Sequence, residues 1–240
     1  MKLLTPPGQL WQRELLVVLR SPRVFAIKLA TPLLLGLPLL VAHAPAFWVA
    51  TLLTTLVAMT GGVGAAMALV RARASGYFER LAVVPRSSAR ILFEWVGAAV
   101  LVDVIQFVPL WLAIVVIGNG TVAELFALLL AVAAALIFTN VLGSLLSLLA
   151  GGPGDVLVTT VVVLAPLLYF AGLFTGAPAS GIGAALAKVD PFTYAATGFV
   201  NSIAPTGGPT PLAVAVAAVA TVATVGVILA AVSPGILGRR

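Results

Sequence analysis

Residues 122–149 read VAELFALLLAVAAALIFTNVLGSLLSLL, a segment that is apolar over almost its whole length. It has one charged residue, Glu124, followed by an apolar run longer than the roughly 20 residues that an α-helix needs to cross a hydrocarbon core. Apolar and polar side chains do not alternate along it, and alanine-rich runs such as residues 131–136 favour helix over strand. The stretch is therefore predicted to be a transmembrane α-helix.

Five further windows share this character, near residues 24–43, 46–70, 91–117, 156–175 and 210–232. Across the 240 residues, 62% are hydrophobic and 8% are charged, and the mean hydropathy is +1.20. A soluble enzyme, a nucleic-acid-binding domain and a disordered chain each need roughly three times that share of charge. The predicted fold class is all-α: a polytopic membrane protein with six spans, in a single domain over residues 1–240.

The positions of lysine and arginine predict the orientation of the chain. Most of these residues fall in three segments: before the first span, between spans 2 and 3, and after the last span. With six spans, all three segments lie on the same side of the membrane. Their lysines and arginines are, in order, Lys2, Arg13, Arg20 and Arg23; Arg71, Arg73, Arg80, Arg86 and Arg90; and Arg239 and Arg240. The other side carries Lys188 alone. Because cytoplasmic loops are enriched in Lys and Arg, both termini are expected in the cytoplasm of a multi-pass protein of the inner or plasma membrane. Lys28 lies at the inner edge of the first span and is expected to snorkel.

Residues 1–23 are interpreted as a cytoplasmic interfacial helix. Apolar residues recur at spacings of one, three and four between residues 9 and 20, which is typical of a helix lying on the inner leaflet. A basic flank that merely orients the first span is the alternative. A signal peptide with its apolar region at 33–41 fits less well, because more than 20 residues precede it.

The loop 71–90, between spans 2 and 3, is predicted to contain a short helix. Ser75 can cap the N-terminus of this helix, Glu79 lies near its positive end, and Pro85 terminates it. Ser87 or Ser88 then caps the third span. An anchor for a partner outside the membrane would consist of Tyr77, Phe78 and Leu81. The alternative is a positive-inside loop whose aromatic side chains rest on lipid headgroups.

The external loop 176–209, between spans 5 and 6, is rich in proline and glycine, with Lys188 and Asp190 as its charged residues. It is too short and too broken to span the membrane. Short helices near 180–188 and 191–203 that dip back toward the membrane are predicted, with Pro191 initiating the second. An ordinary external loop is the alternative.

Polar residues within the spans are functional candidates, because a charge near the bilayer centre costs several kcal/mol unless it is paired. Asp103 is the clearest, while Glu94 lies on the opposite helix face, so the two do not form a paired-carboxylate site. Asp103 suits either a structural hydrogen bond to a neighbouring helix or a role with substrate or a proton. Residues that would line a pathway with it, or equally well face lipid or core, are Met59, Met67, Tyr169, Phe170 and Phe174.

Two motifs resemble those of ABC-2 type transporter permeases. Residues 76–92, GYFERLAVVPRSSARIL, are similar to the family signature G-(x)-E-(R/Q)-L-x-x-x-P-x-(S/T) between spans 2 and 3. Residues 166–174, PLLYFAGLF, and 189–196, VDPFTYAA, resemble the family's region between spans 5 and 6. With six spans, an amphipathic N-terminal helix and inward termini, the resemblance covers essentially the whole chain. Three departures from the motifs bear on the geometry of the outer loop: Ala171 for Ser, Thr175-Gly176 for Phe-Pro, and Asp190 for Asn.

The resemblance implies that the loop helix at 75–85 is a coupling helix that docks on a separate ABC ATP-binding subunit. The residues assigned to this role are Gly76, Tyr77, Phe78, Glu79, Arg80, Leu81 and Pro85. It also implies that the re-entrant outer helices cap the exit, and the motif residues there are Asp190, Pro191, Phe192 and Tyr194.

The implied function is the permease subunit of an ATP-driven exporter for a hydrophobic or amphipathic solute, such as a drug in multidrug efflux, an antibiotic or a lipid. Two copies, or this chain and a homologous permease, would form the pore as a dimer. The chain has no Gly-x-x-x-x-Gly-Lys-Ser/Thr loop, so ATP and Mg²⁺ are expected on the partner, and the chain is not expected to be an enzyme. One histidine, His43, and no cysteine argue against a metal site in this chain.

Three other functions remain open at this point. A proton-coupled secondary transporter would use Asp103 without ATP, although the inverted repeats that would support it are not seen. A haem-export permease of cytochrome c maturation has a similar size and loop, but residues 190–194 fit it less well. A membrane scaffold without transport activity is the third.

Overall fold

The computed structural model describes residues 20–77, 87–176, 178, 180–204 and 210–238, together with Gln12 and Leu16. Within these residues there are eight helices and no strands: α1 Pro22–Val41, α2 Ala46–Ala74, α3 Ser88–Ile117, α4 Val122–Leu146, α5 Pro153–Phe170, α6 Gly181–Val189, α7 Pro191–Ile203 and α8 Pro211–Gly238. Six of them, α1 to α5 and the Pro211–Val232 part of α8, are long and apolar enough to cross a membrane. The predicted all-α, six-span fold is confirmed. Most of the predicted interfacial helix at 1–23 lies outside the described residues.

Successive spans run in alternating directions, so that the start of α1, the end of α2 and the start of α3 lie toward the same end of the bundle. We call this the basic end, because it carries Arg20, Arg23, Arg71, Arg73 and Arg90. The opposite end holds the α1–α2 connection around His43 and the α3–α4 connection at residues 118–121. These two ends are the reference for depth in the bundle.

Local sequence signals account for several helix ends. Thr121 caps α4 in a reciprocal capping box with Glu124, and Ser87 Oγ accepts a hydrogen bond from the Arg90 N–H at the start of α3. Ser75 is the C-cap residue of α2 and not the N-cap of the predicted loop helix, most of which lies outside the described residues. α2 continues beyond residue 70 to Ala74, and the Ser75 hydroxyl donates to the Ala72 carbonyl at 2.9 Å.

Gly76, with φ +66°, follows directly after the end of α2. A residue with this backbone conformation commonly terminates helices, and glycine adopts it without a Cβ penalty. The glycine of the first motif therefore has a local structural reason for its position.

α2 and α4 pack against each other at the centre of the bundle, and small residues let their backbones touch. A Cβ at Gly143 would overlap the carbonyl oxygen of Gly62, and a Cβ at Gly61 would overlap the Thr139 side chain. Without a hydrophobic driving force between helices in lipid, this close packing is a main source of helix association. The remaining helices surround this pair, with α1 packed chiefly on α3, and α8 on α4 and α3.

α6 and α7 form a re-entrant hairpin, as the sequence predicted. At the opposite end the Gly120 N–H donates to the Ser202 carbonyl at 3.1 Å, which places the end of α7 beside the α3–α4 connection. From there the 13 residues of α7 extend about 20 Å back to the hairpin tip at Asp190. This length is more than half of a hydrocarbon core of about 30 Å. At the tip the Phe192 ring contacts that of Phe138 in α4, with centroids 5.9 Å apart.

Candidate functional site

A cavity of about 160 Å³ lies among α1, α2, α3 and α4. Its volume corresponds to about five water molecules. Most of its wall is made of small or apolar residues, Gly64, Ala65, Ala68, Trp95, Ala98, Ala99 and Val102, and its polar lining consists of Lys28, Asp103 and Asn140. Because Asp103 lies at the middle of α3 and the other α3 residues lie nearer its start, the cavity occupies the half of the bundle toward the basic end.

Lys28, Asp103 and Asn140, which we call the polar cluster, join three helices. The Asn140 Nδ2 donates to Asp103 Oδ2 at 3.0 Å and to the Leu136 carbonyl at 2.9 Å. These two acceptors determine which way the amide is oriented. Lys28 Nζ lies 3.9 Å from Asp103 Oδ1. Lys28 therefore does more than snorkel at the membrane edge, because its ammonium pairs with a carboxylate of α3.

The polar cluster has spare hydrogen-bond acceptors. The distance of 3.9 Å between Lys28 Nζ and Asp103 Oδ1 is beyond the range of an N–H···O hydrogen bond, so the two groups attract each other only as charges. Asp103 is 5% exposed, and the Asn140 Oδ1 is buried with no hydrogen-bond partner among the described residues. An ionised carboxylate accepts several hydrogen bonds, whereas that of Asp103 receives a single hydrogen bond, from Asn140, within the part of the chain that the structure describes.

Tyr77, which follows the end of α2, contacts the wall of this cavity. Tyr77 packs on Trp95 with ring centroids 5.5 Å apart, and Trp95 lines the cavity. At the same end Arg73 is hydrogen-bonded to the Ser147 hydroxyl just beyond α4. The structure thus places Gly76 and Tyr77 between α2 and the start of α3. The other residues predicted for ATPase coupling lie outside the described residues: Phe78, Glu79, Arg80, Leu81 and Pro85.

The tip of the re-entrant hairpin holds all four predicted outer residues. Asp190 caps α7 by accepting a hydrogen bond from the Phe192 N–H at 2.9 Å, and Pro191 occupies the first helical turn. The Tyr194 hydroxyl donates to the Lys188 carbonyl at 2.6 Å and so ties α7 to the end of α6. Phe192 is fully buried in the main core. Its contact with Phe138, two residues before Asn140, brings the hairpin tip beside the segment of α4 that carries the polar cluster.

Asp190 is outside the spanning helices, and its carboxyl group is electrostatically unusual. Burial raises its pKa from 3.8 to about 7, although the hydrogen bond from the Phe192 backbone acts in the opposite direction. Its Oδ2 has no hydrogen-bond partner among the described residues. The carboxyl group is therefore protonated over a wider pH range than an exposed aspartate.

The structure does not bring the six predicted pathway residues together. Asp103 lines the cavity, whereas Met59 packs against the main core and Met67 packs against a small cluster shared with α5. Tyr169 and Phe170 form an edge-to-face pair at the end of α5, and Phe174 is 57% exposed. The apolar pathway residues therefore do not form a common lining with Asp103.

Three cavity residues were missed by the sequence-based prediction of the site: Lys28, Trp95 and Asn140. Lys28 and Asn140 are polar residues inside spans, and the rule that selected Asp103 applies to them also. Trp95 has no comparable signal, because a tryptophan near a helix end is also typical of membrane interfaces.

The molecule is thus an α-helical, multi-pass membrane protein in which a largely apolar cavity with one polar cluster lies among four of the spans. The chain belongs to the ABC-2 type transporter family, whose family model matches residues 8–204. It is thus a membrane component of an ABC transporter, a role that in general implies an ABC ATP-binding partner and that is generally not catalytic in itself. No curated protein and no solved structure gave a significant match to the chain.

Proposed function

We propose that this chain is the permease subunit of an ATP-driven exporter, which moves a hydrophobic or amphipathic solute out of the cytoplasm. The observation that carries the proposal is the family match over residues 8–204. The sequence lacks a phosphate-binding Gly-x-x-x-x-Gly-Lys-Ser/Thr loop, so ATP hydrolysis is assigned to a separate subunit. Two copies of the chain, or this chain and a homologous permease, form the pore.

In the proposed mechanism the solute occupies the cavity on the basic-end side, while the hairpin α6–α7 blocks the way to the opposite end. The burial of Phe192 against Phe138 supports this role, because that contact lies between the cavity segment of α4 and the opposite end. ATP binding moves α2 and α5 outward and opens the exit. A solute that crosses without contact with bulk lipid avoids the high cost of placing its polar groups in hydrocarbon.

Coupling to the ATPase is assigned to the loop that carries the first motif. Tyr77 packs on Trp95, and Trp95 lines the cavity. A displacement of the loop by the ATPase would therefore reach the cavity wall through one ring-to-ring contact. The contact supports the assignment because coupling is carried by contiguous packed groups.

Co-purification of the partner ATPase from native membranes tests the docking part of the proposal. Glu79→Arg and Leu81→Asp place the wrong charge in the docking segment, so each is expected to reduce ATPase recovery at least tenfold. The matched control is Asp155→Arg, a charge reversal at an exposed residue at the start of α5, which is expected to retain the ATPase. Unchanged recovery with both loop variants would contradict the docking assignment.

Transport into inside-out vesicles tests the energy source. Solute uptake is expected to need ATP, and Tyr77→Ala is expected to keep the ATPase bound while reducing ATP-dependent uptake several-fold. If vesicles containing the chain move solute equally well without ATP, the exporter proposal is wrong. In that case an Asp103→Asn variant that abolishes uptake would support the proton-coupled transporter instead.

A further inference from the structure

We propose that the polar cluster binds the ammonium group of an amphipathic amine, with Asp103 and Asn140 as its hydrogen-bond acceptors. The inference rests on the proposed function in that it names the chemical class of the solute. The binding step itself requires neither ATP nor the partner subunit.

The balance of donors and acceptors carries the inference. Asp103 receives one close hydrogen bond, from Asn140 at 3.0 Å, while Lys28 stays 3.9 Å away on the other carboxylate oxygen. The Asn140 Oδ1 is buried without a partner among the described residues. Unpaired acceptors in a low-dielectric site are costly, and a compact ammonium supplies three N–H donors. Such a group would complete the hydrogen bonds that the Lys28 side chain does not make.

The same geometry argues against an anionic ligand. The deeper members of the cluster, Asp103 and Asn140, are 5% and 0% exposed, whereas the Lys28 side chain is 42% exposed and forms the outer edge. An anion drawn to Lys28 would lie close to the Asp103 carboxylate, which is only 3.9 Å from Nζ. Like charges at that spacing repel strongly at low dielectric. A ligand ammonium at Asp103 would also lie near Lys28 Nζ, but the 42% exposed Lys28 side chain can turn outward to relieve that repulsion, whereas the buried carboxylate is held by Asn140.

The rest of the cavity suits an apolar body attached to the ammonium. Its walls include Gly64, Ala65 and Ala68 of α2, and no heavy atom lies within 4 Å of a Cβ built at Gly64. Trp95 adds an aromatic surface that attracts both cations and apolar groups. With a volume of about 160 Å³, the cavity holds the amine and the first few carbons, while the remainder of the ligand extends past Lys28.

Binding of dansylcadaverine, a primary amine with a fluorescent apolar body, to the full chain in lipid nanodiscs tests the inference. Energy transfer from tryptophan to the dansyl group reports binding, and N-acetyl-dansylcadaverine provides the probe without the charge. We expect the amine to bind at least tenfold more tightly than its acetylated form. Asp103→Asn is expected to remove this preference, and the matched control Asp155→Asn, outside the cavity, to keep it.

Asp103→Asn leaves the Lys28 ammonium without its carboxylate and is liable to misfold, so a second variant is needed. Lys28→Met with Asp103→Asn removes both charges together and is expected to fold and to bind the two probes equally. If the parent chain binds both probes equally, or if the double variant still prefers the amine, the inference is wrong.

The assay contains no ATP and no partner, which separates this inference from the proposed function. An amine preference that depends on Asp103 supports the inference even if ATP-driven export fails. If the chain exports solute with ATP but shows no preference for the amine, the inference is wrong and the proposed exporter function is still supported.

Discussion

Asp190 caps the N-terminus of α7, but burying its charged carboxylate there is costly. Its side-chain oxygen caps α7 by accepting from the Phe192 N–H, a role that Asn fills equally well. Its charge has no compensating cation among the interactions described, and burial raises its pKa to about 7. The resemblance to ABC-2 permeases places Asn at this position, so the departure exchanges a neutral cap for an ionisable one.

Asp190→Asn is expected to stabilise the protein at pH 8 and to have little effect near pH 4. Because the folded-state pKa of about 7 exceeds the ordinary 3.8, the folded chain holds a proton that the unfolded chain has lost between these values. Stability of the parent is therefore fully present below about pH 4 and falls as pH rises to about 7. The expected gain at pH 8 is on the order of 4 kcal/mol, because the folded-state and ordinary pKa values differ by about three and each pKa unit corresponds to about 1.4 kcal/mol. Thermal unfolding in detergent at both pH values measures it, and an equal gain at both would contradict the assignment.

At the scale of helices, the contact between α2 and α4 depends on residues without side chains. Gly61 and Gly143 let α2 and α4 meet at the centre of the bundle, Gly62 faces Thr160 and Leu164 of α5, and Gly64, in the same glycine-rich run, borders the cavity. The run Gly61-Gly62-Val-Gly64 therefore has two roles in one helix. Its first part holds the helices together, and its last glycine leaves space.

Gly143→Ala is expected to destabilise the bundle by about 1–3 kcal/mol, because the new methyl group overlaps backbone of α2 that cannot rotate away. Gly97→Ala is the matched control, since a Cβ there has no heavy atom within 4 Å. That change is expected to be neutral or to stabilise by up to about 1 kcal/mol through helix propensity. Thermal unfolding of both variants measures the difference, and equal melting temperatures would show that the two helices separate without cost.

At the scale of the whole molecule, the asymmetry of charge determines the proposed orientation. The basic end carries the arginines that flank α1, α2 and α3, and the opposite end is nearly uncharged. Positive residues near spans favour the cytoplasmic side. The same orientation places Gly76, Tyr77 and the Tyr77–Trp95 contact toward a cytoplasmic ATPase.

The absence of cysteine makes this orientation directly testable with single cysteines. Ala74→Cys lies on an exposed site at the basic end, and Thr175→Cys on an exposed site at the opposite end. A membrane-impermeant maleimide added to intact cells is expected to label Thr175→Cys, and to label Ala74→Cys only after permeabilisation. The reverse pattern would refute the proposed orientation and, with it, the assignment of the loop to a cytoplasmic partner.

Fold class, the six spans and the hairpin helices could be predicted from the sequence because their signals lie within single segments, since lipid requires every span to satisfy its own backbone hydrogen bonds as a helix. The family could be predicted because two separated motifs fall at the expected places between the spans. Caps and prolines then place the ends. The predicted hairpin helices, near 180–188 and 191–203, thus closely match the observed Gly181–Val189 and Pro191–Ile203.

Only the tertiary structure decided which helices are neighbours, and the candidate site depends on that choice. Asn140 meets Asp103 across 37 positions of the chain, and Lys28 reaches the same carboxylate from α1. The apolar faces of the spans carry almost no signal for partner choice, since lipid tails and neighbouring helices are equally apolar. Packing contacts between helices, such as those at Gly61 and Gly143, therefore contribute to a choice of neighbours that no single segment specifies.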